Sequence, residues 1–99
     1  MIESFIEGRV RLRSPILADE EFASYLVSEL MRIDGVLNAV ANTRTSGLLL
    51  EYDKNLLPLS LLLRATPLFS RMNDLEKLPV NERISAAGDI MKELSNILR

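Results

Sequence analysis

The order of elements readable in the sequence predicts an α+β domain. It should have an antiparallel sheet, helices on one face and an extra C-terminal helix. Three observations predict it: a short alternating run at Arg9–Arg13, amphipathic helical spacing from Asp19 to Ile33, and a hairpin between Val36 and Asp53. The chain of 99 residues is the size of one domain. It divides by pattern into residues 1–70, holding the sheet and two helices, and residues 71–99, a linker and a last helix.

Residues 5–13 read as the first strand. From Arg9 the alternation is strict, with Arg9, Arg11 and Arg13 on one face and Val10 and Leu12 on the other. Pro15 ends it. Asp19 then has the character of an N-cap, and Glu20 and Glu21 suit the positive end of the helix dipole. Phe22, Leu26, Leu30 and Ile33 form the apolar stripe of that helix, and Asp34-Gly35 stops it.

Val36–Asn42 and Leu48–Asp53 are the next two strands, joined through turn residues. Leu48, Leu50 and Tyr52 share one face, and Leu49, Glu51 and Asp53 the other. A second helix starts near Pro58, carries Leu59, Leu61, Leu62 and Leu63, and should kink or end at Pro67. Arg71–Lys77 is polar and irregular, a helical continuation or a linker. A last helix follows Pro79, with Asn81 as its N-cap. Strand, helix, strand, strand, helix is the first part of a ferredoxin-like split βαβ. A sheet of three strands is expected, or four if Met72–Val80 supplies another in place of that helical continuation.

Composition excludes several functions. The chain has no cysteine and no histidine, so thiol chemistry, disulfides and imidazole acid–base work are absent. Net charge is −2 and aromatics are 5%, a poor footprint for nucleic acid. The N-terminus does not resemble a signal peptide. The apolar-rich stretch Leu56–Phe69 is interrupted by Arg64 and two prolines, and is shorter than the ~20 residues a bilayer needs. A cytoplasmic protein without membrane insertion is the expectation.

Four segments together resemble the heavy-metal-associated domain, the βαββαβ module of copper chaperones and metal-pumping ATPases. They are Gly8-Arg9-Val10-Arg11-Leu12-Arg13, Ile33-Asp34-Gly35-Val36, Asn42 with Thr45 and Gly47, and Leu50-Glu51-Tyr52-Asp53. The resemblance covers residues 8–65 and is nearest to a divergent subgroup without metal ligands. In the metal-binding family a Cys-x-x-Cys pair sits between first strand and first helix, where two thiolates grip a soft cation. Here that loop is Ser14-Pro15-Ile16-Leu17-Ala18-Asp19, without a soft ligand. The resemblance therefore implies the fold and not the metal site. It also implies a metal-transport ATPase as partner.

Two surfaces stand out as candidate contact regions. The first is the sheet face bearing Arg9, Arg11, Arg13, Leu49, Glu51 and Asp53, either a solvated ion-pair surface or a docking site for a protein or an anion. The second is the last helix, where Ile84, Ala87, Met91, Leu94 and Leu98 form an a/d seam. That seam packs within the domain or associates with a partner or a second copy. The leucine run from Leu56 to Leu63 needs cover of the same kind, from the last helix or a dimer partner.

Catalysis is not expected. Glu51 and Asp53 have no activating base beside them, and Ser14, Thr45 and Ser46 read as turn and cap residues. No cofactor is expected. Met1, Met31, Met72 and Met91 read as start residue and core filler rather than copper ligands. The sequence thus points to a non-catalytic contact module, homo-oligomeric or docked on a larger partner. The alternative is an anion or nucleic-acid binder using the arginine row.

Overall fold

A computed structural model describes residues 2–98. Its elements run β1 (Ile2–Ile6), β2 (Arg9–Arg13), α1 (Glu20–Met31), β3 (Val36–Asn42), β4 (Gly47–Tyr52), α2 (Leu59–Asp74) and α3 (Val80–Leu98). Short 3-10 turns lie at Pro15–Ala18 and Leu75–Lys77. The sheet has four strands in the order β1-β2-β4-β3, with antiparallel neighbours throughout.

The split βαβ is β2, α1 and β3, with β4 inserted between its two strands. The fourth strand is not Met72–Val80, which continues α2, forms a 3-10 turn and opens α3. It is β1, taken from the N-terminal end and laid on the free edge of β2. The single strand expected over residues 5–13 is therefore a hairpin. Gly8 has φ +94, the left-handed conformation that a two-residue hairpin turn demands, so Glu7-Gly8 folds the chain back.

Two further boundaries differ from expectation. α2 runs through Pro67 rather than ending there. Pro67 lies on the exposed side, and Leu63, whose carbonyl loses its helical partner, is 63% exposed, so water can replace the missing bond. α3 begins at Val80, inside which Asn81 is not the cap. The Glu82 N–H bonds to the Pro79 carbonyl at 2.9 Å and starts the helix two residues early.

The core lies between the sheet and three helices. Val10, Leu12, Leu48, Leu50 and Tyr52 of the sheet share it with Phe22 and Leu26 of α1, Leu62 and Leu68 of α2, and Met91 and Leu94 of α3. α1 lies on β3, and α3 packs on α2 and touches α1. Gly35, at φ +97, turns the chain from α1 into β3. A Cβ there would stand 2.9 Å from Leu57 Cγ, so only glycine fits between helix exit and core. No helix among the described residues is long and apolar enough to cross a membrane.

Candidate functional site: the open face of the sheet

The side of the sheet away from the helices is laid out in three rows by the strand register. Arg9, Glu51 and Asn38 form one row, Arg11, Leu49 and Val40 the next, and Arg13, Gly47 and Asn42 the last. β1 adds Ile6 beside Arg9 and Ser4 beside Arg11. β2 alternates exposed arginine with buried Val10 and Leu12, as its sequence period requires.

The arginines differ in their engagement. Arg13 Nε bonds to Glu3 Oε2 at 3.1 Å, and both side chains are about half exposed. Glu3 was outside the expected strand, so this partner was missed. Its signal was the continuation of Ile2-Glu3-Ser4-Phe5-Ile6 upstream of Gly8. Glu51 lies opposite Arg9 but accepts from Asn38 Nδ2 at 3.3 Å instead. Asp53 is not part of the face. It lies beyond β4, where its Oδ1 accepts the Asn55 N–H at 2.8 Å in a turn. Arg9 and Arg11 have no hydrogen bond or salt bridge to other side chains among the described residues.

Gly47 opens a depression of about 210 Å³ between Arg11, Arg13, Asn42 and Thr45, with Glu3 at its rim. The hairpin beside it is set by Asn42. Its Oδ1 accepts from the Arg44 N–H at 3.1 Å and its carbonyl from Thr45 Oγ1 at 3.4 Å. The face therefore combines two unengaged guanidinium groups with the apolar surface of Leu49 and Val40. That suits a planar acidic group carried on an apolar surface, since guanidinium binds carboxylates through paired donors.

The loop Ser14–Asp19 is built in the opposite way. Ser14 is fully buried, its N–H bonded to the Ser46 carbonyl at 3.0 Å and its Oγ to Asn73 Oδ1. Ile16 and Leu17 are 1% and 2% exposed and point into the core. Asp19 caps α1 by accepting the Phe22 N–H at 3.1 Å and also faces Arg83 Nη1 at 3.4 Å. Arg83 in turn donates to the carbonyls of Leu78 and Glu76, at 3.0 and 2.8 Å. Hydroxyl, aliphatic and one already bonded carboxylate do not make a soft-metal donor set. Met72 and Met91 are in the core and Met31 is exposed on α1. Met1 lies outside the described residues.

The seam of α3 is used within the chain. Ala87, Met91, Leu94 and Leu98 are buried, and Ile84 is partly buried against the same core. Leu56, Leu59 and Leu63 stay exposed, so α3 covers only part of the leucine run. Tyr25 of α1 reaches α3, its hydroxyl 3.6 Å from where a Cβ on Gly88 would stand. Burial first, and the Glu29 charge second, hold its phenol above the ordinary value.

The family described as heavy metal associated domain 2 matches residues 1–98. The chain belongs to that family. No curated protein and no solved structure matches it.

Proposed function

We propose that this member of the heavy-metal-associated family is a non-catalytic contact module of metal handling, working in the cytoplasm through its open sheet face rather than a metal loop. One contrast carries the reading. The loop that holds ligands in metal-binding relatives is filled with buried Ile16 and Leu17, while Arg9 and Arg11 stand unengaged on the open face. A metal-transport ATPase is the partner that family analogy supports. Its contact surface would be acidic, to suit the guanidinium groups. Self-association is the second part of the reading, supported by the exposed apolar residues.

Nucleic acid is a weaker alternative. Stacking of bases needs aromatics on the binding face, and Phe5 and Tyr52 both oppose or occupy the other side. The test is retention of a metal-transport component on the immobilised protein, compared with Arg9→Glu/Arg11→Glu. Wild type should retain it and the double variant should not. Equal retention by both, or one metal ion bound per chain, would overturn the proposal.

A further inference from the structure

β1 is an edge strand that contacts β2 and little else. All five residues are exposed, with Ile2 at 46%, Phe5 at 41% and Ile6 at 66%. Edges of this kind are normally blocked by lysine, proline or an uncompensated charge. Ile2–Ile6 contains neither lysine nor proline, and its one charge, Glu3, is held by Arg13. Both edge strands carry a register break, between Ile2 and Ser4 in β1 and between Val36 and Asn38 in β3, but the opposite edge differs because β3 is backed by α1.

The hairpin register decides which backbone groups are free. Ile6 and Arg9 flank the two-residue turn, so their N–H and C=O groups face each other. The N–H and C=O of Phe5 therefore point off the sheet. Register decides faces as well. Phe5 opposes Val10 and lies on the helix side, while Ser4 and Ile6 oppose Arg11 and Arg9 on the open side.

We propose that a second copy of this chain adds to β1 in antiparallel fashion, about a two-fold axis at Phe5. Two four-stranded sheets become one of eight. Opposed residues must share a face. Centring on Phe5 meets that condition: Phe5 opposes Phe5 on the helix side, and Ser4 opposes Ile6 on the open side. The two outward backbone groups of Phe5 are exchanged between copies. Centring on Ser4 fails, because it sets helix-side Phe5 against Glu3, whose carboxylate is engaged by Arg13 on the open side. A self-complementary patch is what a two-fold interface requires. The chosen register brings Glu3 near Glu7 of the second copy, and Arg13 offsets that repulsion. The inference rests on the self-association part of the functional reading and is independent of the arginine face.

Light scattering on the whole chain reads the outcome. Wild type should show twice the 11.2 kDa chain mass at micromolar concentration. Phe5→Lys should weaken the dimer at least ~10-fold, equivalent to about 1.4 kcal/mol, with its circular dichroism spectrum retained. The chain has no cysteine, so Phe5→Cys gives a second, clean readout. Opposed residues in an antiparallel pair are about 5.5 Å apart at Cα, within disulfide range. Mild oxidation should link Phe5→Cys into dimers and leave Glu7→Cys largely unlinked. A monomeric wild type would overturn self-association itself. A dimer that survives Phe5→Lys, with no linking through Phe5→Cys, would overturn β1 as its interface.

Discussion

Arg13 and Ser14 are neighbours in the chain, yet Arg13 is about half exposed and Ser14 is fully buried. The boundary between them separates two regions built on different terms. Upstream, β2 presents guanidinium groups to solvent and gains little from them beyond the Glu3 pair. Downstream, Ser14–Asp19 is tied to β4's hairpin, to α2 and to α3 through Ser46, Asn73 and Arg83. Ser14, Ile16 and Leu17 of that loop are buried, whereas Arg9 and Arg11 on the open face have no side-chain partner among the described residues.

Substitutions should separate the two regions by size of effect. Ile16→Ala, in the buried loop, should cost about 2–5 kcal/mol, because it leaves a cavity in a site with no solvent access. Chemical denaturation would measure it, and a cost under 1 kcal/mol would mean the loop is less integrated than described. Arg83→Ala should come next, at about 2 kcal/mol. It removes hydrogen bonds from a charged donor to two carbonyls and leaves the mostly buried Asp19 carboxylate without its countercharge. Gly88→Ala should act in the other direction, stabilising by up to about 1 kcal/mol, since the added Cβ meets Tyr25 only at ordinary contact distance. Arg11→Ala should be smallest, within about 0.5 kcal/mol, as expected of an exposed side chain without a partner. Its melting temperature should hardly move while retention of an acidic partner falls. If Arg11→Ala destabilised the fold as much as Arg83→Ala, the distinction between the regions would fail.

Much of this was legible in the residues. The alternation at Arg9–Arg13 and at Leu48–Tyr52 is a direct consequence of the two-residue strand period, so the faces could be assigned without coordinates. The Asp19 cap and the Gly35 turn follow from local chemistry in the same way. What could not be read was non-local. Arg83 and Asp19 are 64 residues apart, and nothing near either names the other. The fourth strand was hidden because Ile2–Ile6 carries an irregular register against β2, which breaks its alternation. Pro67 read as a kink or an end, and α2 continues through it because its cost depends on which side of the helix it occupies. Asp53 shared β4's parity with Glu51, but the strand ends at Tyr52 and the side chain serves the next turn.

The central claim is that Ser14–Asp19 is a structural loop and not a metal site. Its most direct test is titration of the whole chain with Cu(I), following backbone amide resonances residue by residue. No stoichiometric complex should form, and no saturable shift should appear at Ile16, Leu17, Ala18 or Asp19. A saturable one-to-one complex with shifts centred on those residues would contradict it.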